Sequence, residues 1–164
     1  MTTEKTQLRS LRTDAQEATG LCAGWNVRLA ARRITRFLDG EMADTGLSIA
    51  QFGLMAQVAA ASDDTLGALA ARTGMEQSTL TRNLQALARE GLVEIAVVGG
   101  NQRRRMVWLT EAGARRLRDA MPVWRSAHAM LSTALAPELA QVLAEASQAL
   151  EIPSPRLGRK LAQS

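Results

Sequence analysis

The sequence predicts a mainly α-helical chain carrying one small β-hairpin, and three observations predict it. Ala and Leu dominate a chain that is 46% hydrophobic, 3% aromatic and holds only four prolines, a composition that favours helices over a β-rich sandwich. Apolar residues return every three or four positions between about residues 14 and 40, and again from Leu80 to Leu87. A β-branched run, Leu92 to Val98, is answered across a glycine-containing loop by Arg105 to Leu109. At 164 residues the chain has room for one main fold with its own core.

The first 13 residues are polar and read as a frayed lead-in. A long helix follows from about Asp14 to Gly40, with Leu21, Trp25, Leu29, Ile34, Phe37 and Leu38 on its apolar face and Arg28, Arg32, Arg33 and Arg36 on the rest. Gly40 supplies the stop. Next, Ser48-Ile49-Ala50-Gln51 has the spacing of a capping box, so a second helix starts there with Phe52, Met55, Val58 and Ala59 inward. Ser62-Asp63-Asp64 ends it and caps a short helix from about Thr65 to Arg72.

Ala70, Gly74 and Leu80 then stand where a helix-turn-helix needs them. The small Ala70 permits close approach, Gly74 permits the tight turn, and Leu80 locks the second helix to the first. With Leu80, Leu84 and Leu87 inward, the opposite side carries Gln77, Ser78, Thr79, Thr81, Arg82 and Gln85. These side chains are short and polar, or basic, as a helix entering the major groove requires: Gln and Arg bond base edges, Ser and Thr take phosphates or bases.

The net charge of +4 is unevenly placed. The first 50 residues carry seven basic and six acidic side chains, whereas Arg72 to Arg118 holds nine arginines, among them the wing-tip run Arg103-Arg104-Arg105. A polyanionic partner is implied, and double-stranded DNA suits both the helix and the basic loop. Read plainly instead, the helix is a solvated amphipathic one and the arginine run a solubility device; the turn and hairpin flanking the helix decide for DNA.

A further helix from about Glu111 to Thr133 contains Pro122, which predicts a bend near Arg118. Pro137 suits the first turn of a last helix whose Leu139, Val142, Leu143, Ala146 and Leu150 form a stripe. With Leu131 and Leu135, this exceeds what a small module buries alone, so a second copy is the expected cover. Pro153 and Pro155 end helical structure before a basic tail with Arg156, Arg159 and Lys160.

In combination, Leu47 to Gln51, Leu69-Ala70-Ala71-Arg72-Thr73-Gly74, Thr79-Leu80-Thr81-Arg82-Asn83-Leu84, Leu87 to Val93, and Asn101-Gln102-Arg103 leading to Leu109-Thr110-Glu111-Ala112-Gly113 resemble winged helix-turn-helix regulators of the MarR, SlyA and OhrR type. The resemblance implies a homodimeric repressor whose N- and C-terminal helices intertwine. It divides the chain into a flexible 1–13, a dimerisation helix 14–45, a DNA-binding region 46–112, dimerisation helices 113–152 and a tail 153–164. By the same likeness Arg103 probes the minor groove, while Arg72, Arg104 and Arg105 join Gln77, Ser78, Thr79, Thr81 and Arg82 on phosphates and bases. Two departures are visible. Asn101 stands where the family's wing usually has aspartate, removing an ion pair to arginine, and Glu76 precedes the reading helix where Ser or Asp caps better.

Two switches follow for such a regulator. A small aromatic or anionic effector would lie between the long helices and the winged module, with Trp25, Arg32 and His128 as candidate lining residues; their plainer readings are dimer core, solvated charge and helix-face residue. Alternatively Cys22, the single cysteine, is oxidised. Without tyrosines to hold a thiolate, Cys22 reads better as a buried packing residue. An architectural DNA binder without effector response is the third reading. No catalytic cluster, phosphate loop, metal-ligand spacing or cofactor motif is present, so the sequence predicts no enzyme, no metal and no cofactor. With no leader and no apolar run near 20 residues, the expected location is cytoplasmic, with no membrane partner.

Overall fold

The computed structural model describes residues 2–61, 65–97, 105–135, 141, 142 and 145, the side chains of 2–9 excepted. The chain forms two compact units, Met1–His128 and Ala129–Ser164. The first begins with α1 (Thr2–Leu21) and α2 (Ala23–Glu41), separated at Cys22, whose ψ of 99° is extended rather than helical. This corrects two expectations. Helix begins at Thr2, where Glu4, Lys5 and Gln7 are good formers, and the helix expected from Asp14 to Gly40 is broken. Gly20 and Gly24 flank the break, each weakening helix by about 1 kcal/mol relative to Ala. The Asn26 amide donates to the Gly20 carbonyl at 3.0 Å across it.

The apolar face expected on this helix is buried only at its C-terminal end, where α3 packs. Leu38 is buried, Leu29, Ile34 and Phe37 are half-buried, and Leu21 and Trp25 are exposed at 76% and 52%. A 3₁₀ turn, Ala43–Thr45, and Gly46 in the left-handed region (φ 70°) reverse the chain into α3 (Ile49–Ala59). The capping box is closed: Gln51 N–H donates to Ser48 Oγ at 3.2 Å, and Ser48 N–H to Gln51 Oε1 at 2.9 Å. Asp39 of α2 adds a third acceptor, taking the Ile49 N–H at 2.7 Å. Since α2, α4 and β2 all pack on α3, its buried set is Phe52, Leu54, Met55 and Val58, and Ala59, expected inward, is exposed.

Next come α4 (Leu66–Thr73) and α5 (Gln77–Arg89), then an antiparallel hairpin of β1 (Val93–Val97) and β2 (Arg105–Leu109) paired from Val93↔Leu109 to Val97↔Arg105. Thr65 bridges Met106 beside it. The final described helix, α6 (Glu111–Ala134), starts at the hairpin's base and runs through Pro122, which has no N–H for the Arg118 carbonyl. One core joins these elements, from Met42 and Leu47 through the leucines of α4 and α5 to Val107, Leu117 and Ala120. Phe52, Trp124 and His128 extend it as a row of rings, Phe52 stacked on Trp124 at 5.6 Å between centroids and His128 tilted against Trp124 at 4.4 Å.

Where α6 begins, two backbones touch. Gly113 is buried against Leu92, and a Cβ at this position would overlap the Leu92 carbonyl oxygen. In the second unit, Ser132 and Thr133 turn their hydroxyls back onto carbonyls at 2.8 and 2.7 Å, and Met130 and Val142 are exposed. The hairpin tip, Ser62 to Asp64, the basic tail and most of the last helix expected from Pro137 lie outside the described residues; of that helix 141, 142 and 145 are described, and they are helical. No described helix is long and apolar enough to cross a membrane.

Candidate nucleic-acid interface

Local chemistry fixes both ends of the α4–α5 pair. Thr65, rather than a residue of Ser62 to Asp64, caps α4 by accepting the Ala68 N–H at 3.3 Å. Gly74 (φ 63°) ends α4 in the left-handed conformation that the turn needs. Glu76 is the N-cap of α5 with extended backbone (ψ 135°) and makes no side-chain cap bond, so the helix starts at Gln77 without that help. Its anchorage lies further along. Leu80, Leu84 and Leu87 are 0% exposed, one per turn, and they set the helix's rotation about its axis.

That rotation leaves Gln77, Ser78, Thr79, Arg82, Asn83 and Gln85 in solvent. Thr81 is half-buried, and its hydroxyl donates to the Gln77 carbonyl one turn back at 2.7 Å. Arg82 and Arg105 have no acidic partner among the described residues, and both are exposed. Arg72, also exposed, stands in the last turn of α4. Arg103 and Arg104 lie outside the described residues. The surface is thus a row of donors and acceptors with cations at its margins, which suits the polar edges and charged backbone of a duplex.

The residues expected to line an effector pocket are placed differently from one another. The Arg32 guanidinium lies 5.6 Å from the centre of the Trp25 ring, a cation–π pair on exposed α2. Beside it an open groove of about 450 Å³ is lined by Ala31, Arg32, Thr35, Arg36 and Asp39. His128 makes its ring contact with Trp124, and its Nδ1 is buried without a hydrogen-bond partner among the described residues. Cys22, expected to be buried, is exposed at the break before α2. Among the described residues no three His, Cys, Asp or Glu side chains gather as metal ligands.

Sequence reasoning missed the group at the base of the hairpin. The Thr110 hydroxyl donates to the Gly91 carbonyl at 2.6 Å and accepts the Gly113 N–H at 3.0 Å. The available signal was a threonine three residues before a helical glycine, the spacing of an N-cap.

The family model described as MarR family matches residues 45–104, from the end of the 3₁₀ turn through β1 to the residue before β2. None of the curated proteins matches the chain. Among solved structures, the transcriptional regulator MosR of M. tuberculosis in complex with DNA is 34% identical, with 79% of this chain and 96% of that chain covered and a TM-score of 0.71. A mutant MarR from E. coli complexed with operator DNA is 22% identical, covering 81% and 96%, with a TM-score of 0.69. MepR of S. aureus, also in a DNA complex, is 18% identical over 78% and 96%, with a TM-score of 0.65. The last two likenesses are of fold.

Proposed function

The chain belongs to the MarR family of winged-helix transcriptional regulators, and from that premise we propose that it is a homodimeric repressor that occupies a pseudo-palindromic operator and is released by a small-molecule effector. The observation that carries the proposal is the geometry of α5. Three fully buried leucines hold one side, which leaves Gln77, Ser78, Thr79 and Arg82 free to meet base edges in a major groove. Thr81 keeps its place on that helix, but with its hydroxyl proton engaged it offers an acceptor oxygen and its methyl group. Arg72 and Arg105 hold phosphates, Arg103 and Arg104 supply the wing's charge, and Arg103 enters the minor groove, whose negative potential favours a guanidinium.

A second copy places two such helices about 34 Å apart, one turn of DNA. Support for pairing comes from the exposed Leu11, Leu21, Trp25 and Val27 of the first unit and Met130 and Val142 of the second. The Trp25–Arg32 pair favours an effector with an aromatic ring or a negative charge on α2. The exposure of Cys22 favours a second reading, release by thiol oxidation.

Footprinting on the protein's own upstream DNA tests all of this. A protected pseudo-palindrome that disappears when Arg82 and Arg103 are both changed to Ala is the expected result. Protection without sequence preference would turn the assignment into an architectural one, and a strictly monomeric protein would overturn it. Repeating the footprint with aromatic acids, and with organic peroxide on wild type and Cys22→Ser, separates the two switches.

A further inference from the structure

We propose that Thr110 is a positioning residue for DNA recognition: it acts through α5 by fastening that helix's C-terminal end to the start of α6. The inference rests on the proposed role of α5 as the reading helix. Four observations converge on this joint, two of them bonds of the Thr110 hydroxyl. Its hydroxyl donates to the Gly91 carbonyl at 2.6 Å, immediately past α5. The same oxygen accepts the Gly113 N–H in the first turn of α6 at 3.0 Å. Thr110 N–H donates to the Leu92 carbonyl at 3.1 Å. Gly113, lacking a Cβ, lets α6 rest against the Leu92 backbone.

The other side of the fastening is equally fixed. Gly91, in the left-handed region at φ 69°, and Leu92 close the end of α5 by donating to the carbonyls of Ala88 and Leu87 at 3.0 and 2.9 Å. Leu92 and Val93 are buried, and Val93 pairs with Leu109, the residue before Thr110. The hydroxyl therefore stands where α5, the hairpin and α6 meet, and it bonds to the backbone at both helix ends.

Its leverage comes from distance. Ser78 and Thr79 lie at the opposite end of α5, about 18 Å from Gly91 at 1.5 Å per residue. A tilt of about 10° at the joint sweeps them by about 3 Å, one base-pair step of duplex. A loosened joint thus blurs which base pairs the two copies reach, while leaving the number of phosphate contacts unchanged.

The test uses the full-length protein and the operator fragment defined by footprinting, together with versions carrying one base pair inserted or removed at the centre. Wild type should prefer the native spacing by at least tenfold. Thr110→Val keeps the shape and removes both hydroxyl bonds; it should bind the native fragment at least tenfold more weakly, discriminate spacing by less than threefold, and keep the wild-type salt dependence. Thr110→Ser should restore both affinity and discrimination to within threefold. If Val at this position does not fold, Thr110→Ala is measured in its place. Leu117→Ala, a core truncation on α6, should lower stability yet keep the spacing preference. Discrimination as sharp as wild type in the Val or Ala variant, or a Ser variant as poor as Val, overturns the inference while leaving the operator-binding assignment intact. A wild-type protein that protects no fragment fails that assignment first, and this inference with it.

Discussion

Replacing Gly113 by Ala tests the tightest packing described around α6. The new Cβ would overlap the Leu92 carbonyl oxygen and stand 2.8 Å from its carbon and 3.2 Å from its Cα, all backbone atoms without a rotamer to escape into. Relief requires α6 to back away, and that breaks the bonds from Thr110 to Leu92 (3.1 Å) and to Gly91 (2.6 Å). Overpacking costs about 1–3 kcal/mol, and two lost hydrogen bonds about 1 kcal/mol each. Ala's better helix propensity returns about 1 kcal/mol. The expected net loss is therefore about 2–4 kcal/mol, which for a chain of this size lowers the melting temperature by roughly 4–16 °C. Circular dichroism at 222 nm during thermal unfolding, with protein concentration held equal, measures it, and urea midpoints check it. A variant as stable as wild type, or more stable, would refute the steric reasoning, since propensity alone predicts stabilisation.

Three more outcomes are expected. Gly74→Ala meets no atom within 4 Å, so only its φ of 63° opposes the change; chemical denaturation should show a loss of about 1–2 kcal/mol. Leu84→Ala, at a site with 0% exposure, should cost about 2–5 kcal/mol by the same measurement, and a loss below about 1 kcal/mol would mean that α5 is not anchored through it. In operator binding by fluorescence anisotropy, Thr81→Val should stay within threefold of wild type because its hydroxyl serves the Gln77 carbonyl, whereas Thr79→Val, exposed on the same helix, should lose more.

What could be foreseen from sequence was whatever a few neighbouring residues decide by themselves. Ser48 and Gln51 make a capping box through their own side chains and backbone, and both bonds are present. Gly74 and the three leucines of α5 likewise act through local geometry and a 3.6-residue period. Misjudged features depend on partners distant in the chain. Ala59, expected inward, is exposed and Leu54 is buried because α3 is packed from several sides. Cys22 was expected inside, yet nothing among the described residues buries the start of α2. The contact of Gly113 with Leu92, 21 positions away, leaves no periodic trace. Within the candidate interface, residue types and faces were legible, but the engagement of Thr81 with a carbonyl was a choice between solvent and backbone that composition does not reveal.

Residues 10 to 28, nineteen in succession, are exposed on every side of α1 and the first turns of α2. Helices of about this length are only marginally populated in water when nothing packs on them, because nucleation is unfavourable. If self-association is what covers Leu11, Leu21 and Trp25, folding of this segment becomes a bimolecular event, coupled by mass action to how much protein is present. Dilution would then unravel the N-terminus first and offer it to proteases while the core from Met42 to Ala120 stays folded, so cellular abundance itself would set how much of this segment is folded.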